Sequence, residues 1–347
     1  MIIARSPLRV SFTGGGTDIP QFYERYGPGA VVSTTINKYV YVSLSEKFGG
    51  GISLRYRVHE NKERADQLDH PLVREMLNHY GVTGGIELVI TSDVPARGSG
   101  LGASSALACA LAAILEYYTG REVTDKEAIA KVASDVEISK VGSPIGKQDH
   151  YSSAFGGLNF ILFQKDGSVS VERFASEDFI GELESQSMLF YLDIQHKYLD
   201  ERGNQKKDTH FVQKILKEQV VEIDSKRRIY ELQRDNAIAL WEHMRYEVPE
   251  RFIDHVNENW RLKRSLHPEI SNAEIDAIIQ KAYSAGATAA KVCGAGGGGF
   301  LYLMVPPYMQ GEVRKALEGL KELKFMFEKK GVEVVFDDTE KEPCGAH

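Results

Sequence analysis

Cysteine is scarce in this 347-residue chain, with Cys109, Cys293 and Cys344 the whole supply. An odd count without CxxC spacing fits thiols kept reduced better than a disulfide framework. Long apolar runs are missing too. The longest, from Ala106 to Leu115, is about half of the roughly 20 residues a membrane-spanning helix needs. The opening "MIIARSPLRVSF" lacks the extended apolar core of a secretory signal. Nor is there an excess of basic charge: 42 Lys and Arg stand against 49 Asp and Glu, a net charge of -7. That balance argues against nucleic-acid or membrane-surface binding through a general basic field, so a phosphate-bearing ligand must be held by a local site. These absences leave a cytoplasmic, enzyme-sized protein, long enough for two domains with real cores.

Strand signals fill the first 190 residues. "VVSTTINKYVYVSLSEK" is β-branched and aromatic, and "GGLNFILFQKDGSVSVERF" reads as a hairpin turning at Asp166-Gly167. Helices are predicted at 103–118 and 125–139, the second opened by a Thr124/Glu127 capping box. From about 193 the chain is polar, then helical in pattern to about 285, with a second box at Ser271/Glu274 and a stop at Gly286. The end returns to strand, a helix near 311–329, and the strand "VEVVF". A boundary near 180–190 divides the chain into 1–187 and 188–347, two parts expected to share one cleft.

Four segments carry candidate chemistry. In "VPARGSGLGASSALA" three alternating glycines run straight into a small-residue helix. Glycine lets backbone N–H groups converge, and the helix aims its positive end at the same point, so the loop is either a tight turn or an anion cradle. Ser104 and Ser105 stand in the first turn, where hydroxyls meet an anion or a metal. No Lys follows in Walker spacing. "KVCGAGGGGFLYLMV" matches G-x-G-x-x-G from Gly294 to Gly299, yet it runs into a second strand-like segment. A dinucleotide loop needs a strand before it and a helix after, so the match is a decoy. Its surplus of glycine implies that something packs against bare backbone. In "DVEISKVGSPIGKQDHYSSAFGG", Glu137 and Asp149 are either surface acids or a pair of which one holds a metal and the other handles a substrate proton, with Lys140 and Lys147 nearby. In "PLRVSFTGGGTDIPQFY", Arg9 lies in a strand and Asp18 is either a helix N-cap or a ligand contact.

In this order the segments resemble the GHMP kinases, the family of sugar, mevalonate and homoserine kinases. "PARGSGLGASSALA" is similar to their phosphate loop, "KVCGAGGGGF" to their C-terminal glycine motif and "PLRVSFTGGGTD" to their N-terminal substrate motif. Within the family, "TGGGTDIPQFYERYG", "PIGKQDHYSSAFGGLNFI" and "KRSLHPEISNAEID" look like the branch that phosphorylates the anomeric hydroxyl of a heptose 7-phosphate. The resemblance implies an α+β fold of two domains, an N-terminal one like domain 2 of ribosomal protein S5 and a ferredoxin-like C-terminal one, with the site between them. It implies ATP and Mg2+, with Arg97, Gly98, Ser99, Gly100, Leu101, Gly102, Ala103, Ser104 and Ser105 around the ATP phosphates. Ser104 and Glu137 would hold the metal, and Asp149, Arg9 and Lys147 would be catalytic. Gly15, Gly16, Thr17, Asp18, Gly146, Asp149, Gly296 and Gly297 would contact a sugar or sugar-phosphate acceptor. A homodimer is compatible with the sequence, which specifies no oligomeric state. Two departures stand out: Ala103 occupies the place of the first serine of the usual pair, and 193–210 lacks the pattern of heptose kinases. Arg5, Lys38, Lys140, Lys147 and Arg202 are the candidates for a second phosphate contact.

Overall fold

The computed structural model describes residues 1–95, 98–194, 197–199, 205–207, 211–246 and 248–338. Its strands are β1 (Ile2–Thr13), β2 (Gly29–Glu46), β3 (Ile52–Arg55), β4 (His59–Lys62), β5 (Ile86–Ser92), β6 (Leu158–Phe163) and β7 (Val169–Arg173) in the first half. The second half adds β8 (Ser187–Leu192), the ribbon β9 (Lys197–Leu199) and β10 (Gln205–Lys207), β11 (Ala289–Val292), β12 (Gly299–Met304), β13 (Lys321–Glu322) and β14 (Glu333–Asp337). An eight-stranded sheet runs β14-β1-β2-β5-β3-β4, with β6 and β7 on the other end of β2. The long β2 spans both parts: Gly29–Thr34 pairs with β6 and Val40–Glu46 with β5. A four-stranded antiparallel sheet, β11-β12-β8-β13, forms the second layer system.

The change of sheet falls at Ser187, but β14 near the chain end returns to pair with β1. The second part of the chain therefore contributes to the first sheet, which a single cut in sequence does not convey.

The helix Ala103–Tyr118 is buried without a break from Ser105 to Leu115. Its alanines let it press closely on β1 and β2, and a helix apolar on all sides belongs inside. The Asp166-Gly167 hairpin is present as β6–β7, with Asp166 accepting from the backbone and hydroxyl of Ser168. Caps move by one residue from the expected boxes. Asp125, not Thr124, accepts from Ala128 N at 2.9 Å, and Asn272, not Ser271, accepts from Ile275 N at 2.9 Å. Each lies one position nearer the helix than its neighbour of comparable capping power. The helix expected at 125–139 is α-helical only over Lys126–Asp135. Val136–Lys140 then widens into a π turn, closed by Val141 N to Val136 O. The helix expected at 311–329 stops at Ala316, since Gly319 at φ +99° breaks it and the chain turns into β13.

Candidate active site

Between β5 and the buried helix, Gly98, Gly100 and Gly102 adopt φ of +72°, +74° and +76°, a region that side-chain-bearing residues enter at a cost. Gly102 is the N-cap and offers no side-chain cap. The first-turn N–H groups are thus left for a ligand, at the positive end of a 16-residue helix. Leu101 is buried and its carbonyl accepts from Arg9 N at 3.0 Å.

The surplus of glycine in the C-terminal motif has its explanation here, because this loop packs on it. A Cβ on Gly294 would lie 2.4 Å from Gly100 Cα, one on Gly100 2.5 Å from Cys293 O, and one on Gly299 2.4 Å from Gly98 O. Phe300 N donates to Ser99 O at 3.0 Å. The two loops touch backbone to backbone, which only glycine allows. The β11–β12 pairing around them confirms that Gly294–Gly299 joins two strands and is no dinucleotide loop.

Arg9 on β1 meets Asp149 in the first turn of the helix Gln148–Phe155. Nε donates to Oδ1 at 2.6 Å and Nη2 to Oδ2 at 2.7 Å, while Nη1 reaches Gly100 O at 2.6 Å. A bidentate fork of this kind fixes both partners in angle as well as distance. The pair leans on the Gly98–Gly102 loop, since a Cβ on Gly102 would lie 3.2 Å from Asp149 Oδ2 and from Arg9 Cγ.

Opposite lies the Gly14–Asp18 turn. Asp18 is buried and caps no helix; the N-cap of Pro20–Tyr26 is Ile19. Its carboxylate accepts from Gly16 N at 2.9 Å, Gln148 N at 3.0 Å and Gln148 Nε2 at 3.2 Å. Burial pushes its pKa up to about 6 against those hydrogen bonds. Gly146 is required because a Cβ there would sit 1.9 Å from Asp18 Oδ2. Gly15 and Gly16 line the cleft. Thr17 does not: its hydroxyl donates within the turn to Gly14 O and Ala30 O and accepts from Ala30 N.

Glu137 stands in the π turn, buried, with Oε2 accepting from Ser105 Oγ at 3.1 Å and from His150 Nε2 at 2.8 Å. Ser104 is exposed and lines the cleft. Lys147 turns its ammonium to the Tyr23 ring, 5.8 Å from the centroid. Arg5 is bound to Glu333 and lies over Tyr39. Neither lines the cleft, nor do Lys38 and Lys140; Arg97, Arg202 and Cys344 lie outside the described residues.

The cleft instead contains residues that the sequence did not single out. Lys263 and Lys291 line it, together with Asn259, whose Oδ1 accepts from Gly14 N at 2.9 Å. Ser11 Oγ and Gln148 Oε1, beside Gly15, are buried polar atoms with no hydrogen-bond partner among the described residues. Unpaired buried polar atoms at a cleft wall are what a polyhydroxylated ligand would satisfy. A separate group, Glu218, His267 and Glu269, lies within 4.8 Å of one another. Its imidazole is already used, Nδ1 accepting from Glu269 N and Nε2 facing Glu218 at 2.6 Å.

An uncapped helix start within a bare glycine loop, facing an arginine-clamped carboxylate, defines an α+β phosphotransferase cleft. Residues 70–157 match the N terminal domain of GHMP kinases and residues 244–323 their C terminal domain. The chain belongs to the GHMP kinase family. It is 28% identical to the D-glycero-alpha-D-manno-heptose 7-phosphate kinase of Campylobacter jejuni, across 95% of this chain and 98% of that one. A mevalonate kinase from Thermococcus gammatolerans is 31% identical over 71% of this chain and 66% of its own length. In fold, the chain matches a D-glycero-D-manno-heptose 1-phosphate kinase from Bacteriodes thetaiotaomicron with a TM-score of 0.75 and 23% identity, over 98% of this chain and all of that one. Among the described residues, no helix is long and apolar enough to cross a membrane.

Proposed function

We propose that this protein is an ATP- and Mg2+-dependent sugar 1-kinase whose acceptor is D-glycero-D-manno-heptose 7-phosphate, feeding nucleotide-heptose and surface-polysaccharide synthesis in the bacterial cytoplasm. The observation that carries the reading is the Arg9–Asp149 fork, at 2.6 and 2.7 Å, set where the donor loop meets the Gly14–Asp18 turn. Each carboxylate oxygen there keeps a second lone pair for an acceptor hydroxyl. In the transfer, the acceptor oxygen bonds to the γ-phosphorus and the bond to the β–γ bridging oxygen breaks. Its electron pair leaves with ADP, and the hydroxyl proton passes to Asp149. An anomeric hydroxyl is more acidic than other sugar hydroxyls, so a carboxylate suffices as acceptor.

The donor set fits a hard cation. Ser104 offers a hydroxyl at the cleft wall; Glu137 does not itself line the cleft, but its Oε2 is anchored by Ser105, next to Ser104 in the chain, and its Oε1 carries no hydrogen bond among the described residues. Bound there, Mg2+ would supply charge neutralisation at the phosphate oxygens. Two relatives carry different names, heptose kinase and mevalonate kinase. Identity of 28% sustained over 98% of the heptose kinase supports the first, where a mevalonate kinase aligned over 91% of its own length is 25% identical.

The test is ADP release over heptose 7-phosphate, heptose, mannose, fucose, galactose and mevalonate, with the product identified by 31P NMR. Turnover with the heptose 7-phosphate and a new anomeric phosphate resonance are expected. Turnover with mevalonate alone, or no turnover on any acceptor, refutes the assignment.

A further inference from the structure

Three cations and two carboxylates face the cleft: Arg9, Lys263 and Lys291 against Asp18 and Asp149. Asp149 is committed to Arg9, and Asp18 accepts amide N–H groups. That leaves two lysines over. Lys263 closes the helix Pro249–Arg264, one turn after Asn259 and on the same face. Its ammonium donates to Gly294 O and to Val292 O at 3.4 Å, beside the point where Gly294 meets Gly100 of the donor loop. Lys291, on β11, donates to Ser11 O at 2.6 Å and Phe12 O at 2.9 Å, just before the Gly14–Asp18 turn. Among the described residues neither forms a salt bridge, and each has one of three N–H donors unspent. Lys291 is buried, at 3% exposure, and Lys263 is half-buried. Burial, and the neighbouring charge, hold their pKa values down at about 8 for Lys263 and about 7 for Lys291.

One buried and one half-buried ammonium group without a counter-anion destabilise an empty site unless an anion joins them. One lysine is tied to the donor side of the cleft and the other to the acceptor side, with Arg9 and Asp149 as charged neighbours. Resting on the kinase reading above, we propose that Lys263 and Lys291 form a subsite for the phosphoryl group in transit, neutralising its equatorial oxygens between donor and acceptor. The 7-phosphate of a heptose sits at the far end of the sugar from the reacting hydroxyl, away from this point.

The test compares affinity for Mg-AMPPNP and Mg-ADP by calorimetry in wild type, Lys263→Met and Lys291→Met, followed by kinetics with heptose and heptose 7-phosphate. Expected is an AMPPNP-over-ADP preference lost by about tenfold or more in each variant with ADP affinity kept, and kcat down about 10²–10³-fold on both acceptors. Equal loss of AMPPNP and ADP affinity overturns the proposal. So does a change confined to the KM of the phosphorylated acceptor, which would place the 7-phosphate here instead. Wild type that binds neither nucleotide refutes the kinase reading itself, a distinct outcome. Should the variants fail to fold, 13C-lysine NMR of wild type decides. The two lysines titrating near pH 8 and pH 7 face each other, Arg9, Asp149 and Cys293. Their midpoints should rise with AMPPNP and stay with ADP; equal response to both overturns the proposal.

Discussion

Replacing Gly100 by alanine separates the cost of a left-handed backbone from the cost of forcing two loops apart. The new Cβ would lie 2.5 Å from Cys293 O, 2.7 Å from its carbonyl carbon and 3.1 Å from Gly294 N, all backbone atoms that cannot swing aside. Ordinary C···O contact begins near 3.3 Å, so the loops must part by about 0.8 Å. Gly98 is the control: it shares the conformation, φ +72° against +74°, but a Cβ there meets nothing within 4 Å. Both variants should lose about 1–2 kcal/mol for the left-handed residue, and Gly100→Ala a further ~1–3 kcal/mol for overpacking. The kinetic contrast is sharper. Gly100 O accepts from Arg9 Nη1 at 2.6 Å, so parting the loops shifts the fork that orients Asp149. Displacements near 1 Å cost about 10²-fold in rate. Thermal unfolding and steady-state ADP release on the two variants side by side check this. Equal kcat for Gly98→Ala and Gly100→Ala would refute the claim that loop-to-loop contact positions the catalytic pair.

Asp149→Asn should lower kcat by about 10²–10⁴-fold, the range for losing a positioned proton acceptor, with Mg-ADP affinity unchanged by calorimetry. Thr17→Val should cost about 1–3 kcal/mol by denaturant unfolding, by taking the hydroxyl partner from Ala30 N, while the acceptor KM stays within twofold; a large KM rise would make Thr17 a ligand contact. Asp18 has its folded pKa raised to about 6 from 3.8 by burial, so the native state takes up this proton before the unfolded chain does. Its contribution to stability therefore grows as pH falls from about 6 to about 4, and is least above 6. Asp18→Asn should remove that component, so that denaturant unfolding shows wild-type stability rising relative to the variant with acidification across the same window.

The glycine motifs were legible because glycine has few reasons to cluster. Gly98, Gly100 and Gly102 in alternation before an alanine-rich helix point to bare backbone at a helix start, and the structure places all three at positive φ. The surplus in Gly294–Gly299 implied a close neighbour, and the neighbour proved to be the donor loop. Which neighbour was not readable, since the contact joins positions nearly 200 residues apart. Cap positions slipped by one because Thr124 and Asp125, like Ser271 and Asn272, are adjacent residues of similar capping power. Only the geometry of the incoming chain chooses between them. The helix expected at 311–329 failed where Gly319 outweighed a charged pattern of helical period.

The lysines show the other side of the same limit. Surface lysines far outnumber buried ones, so a lysine in "NENWRLKRSL" or "AAKV" carries no local sign of its place. Lys38, Lys140 and Lys147 looked the better candidates only because they stand near motif residues in sequence. What puts Lys263 and Lys291 in the cleft is tertiary: one helix pins the acceptor turn through Asn259 and carries Lys263 one turn on, while β11 ends in the glycine loop that packs on Gly100. The close approach that the glycines permit is therefore also what brings two cations to the proposed phosphoryl subsite. A substitution that parts the loops should weaken charge neutralisation as well as geometry. Gly294→Ala, whose Cβ would meet Gly100 Cα at 2.4 Å, should accordingly lower the AMPPNP-over-ADP preference in parallel with kcat, although no charged residue has been changed. Loss of kcat with that preference intact would show that loop packing and phosphoryl binding are independent.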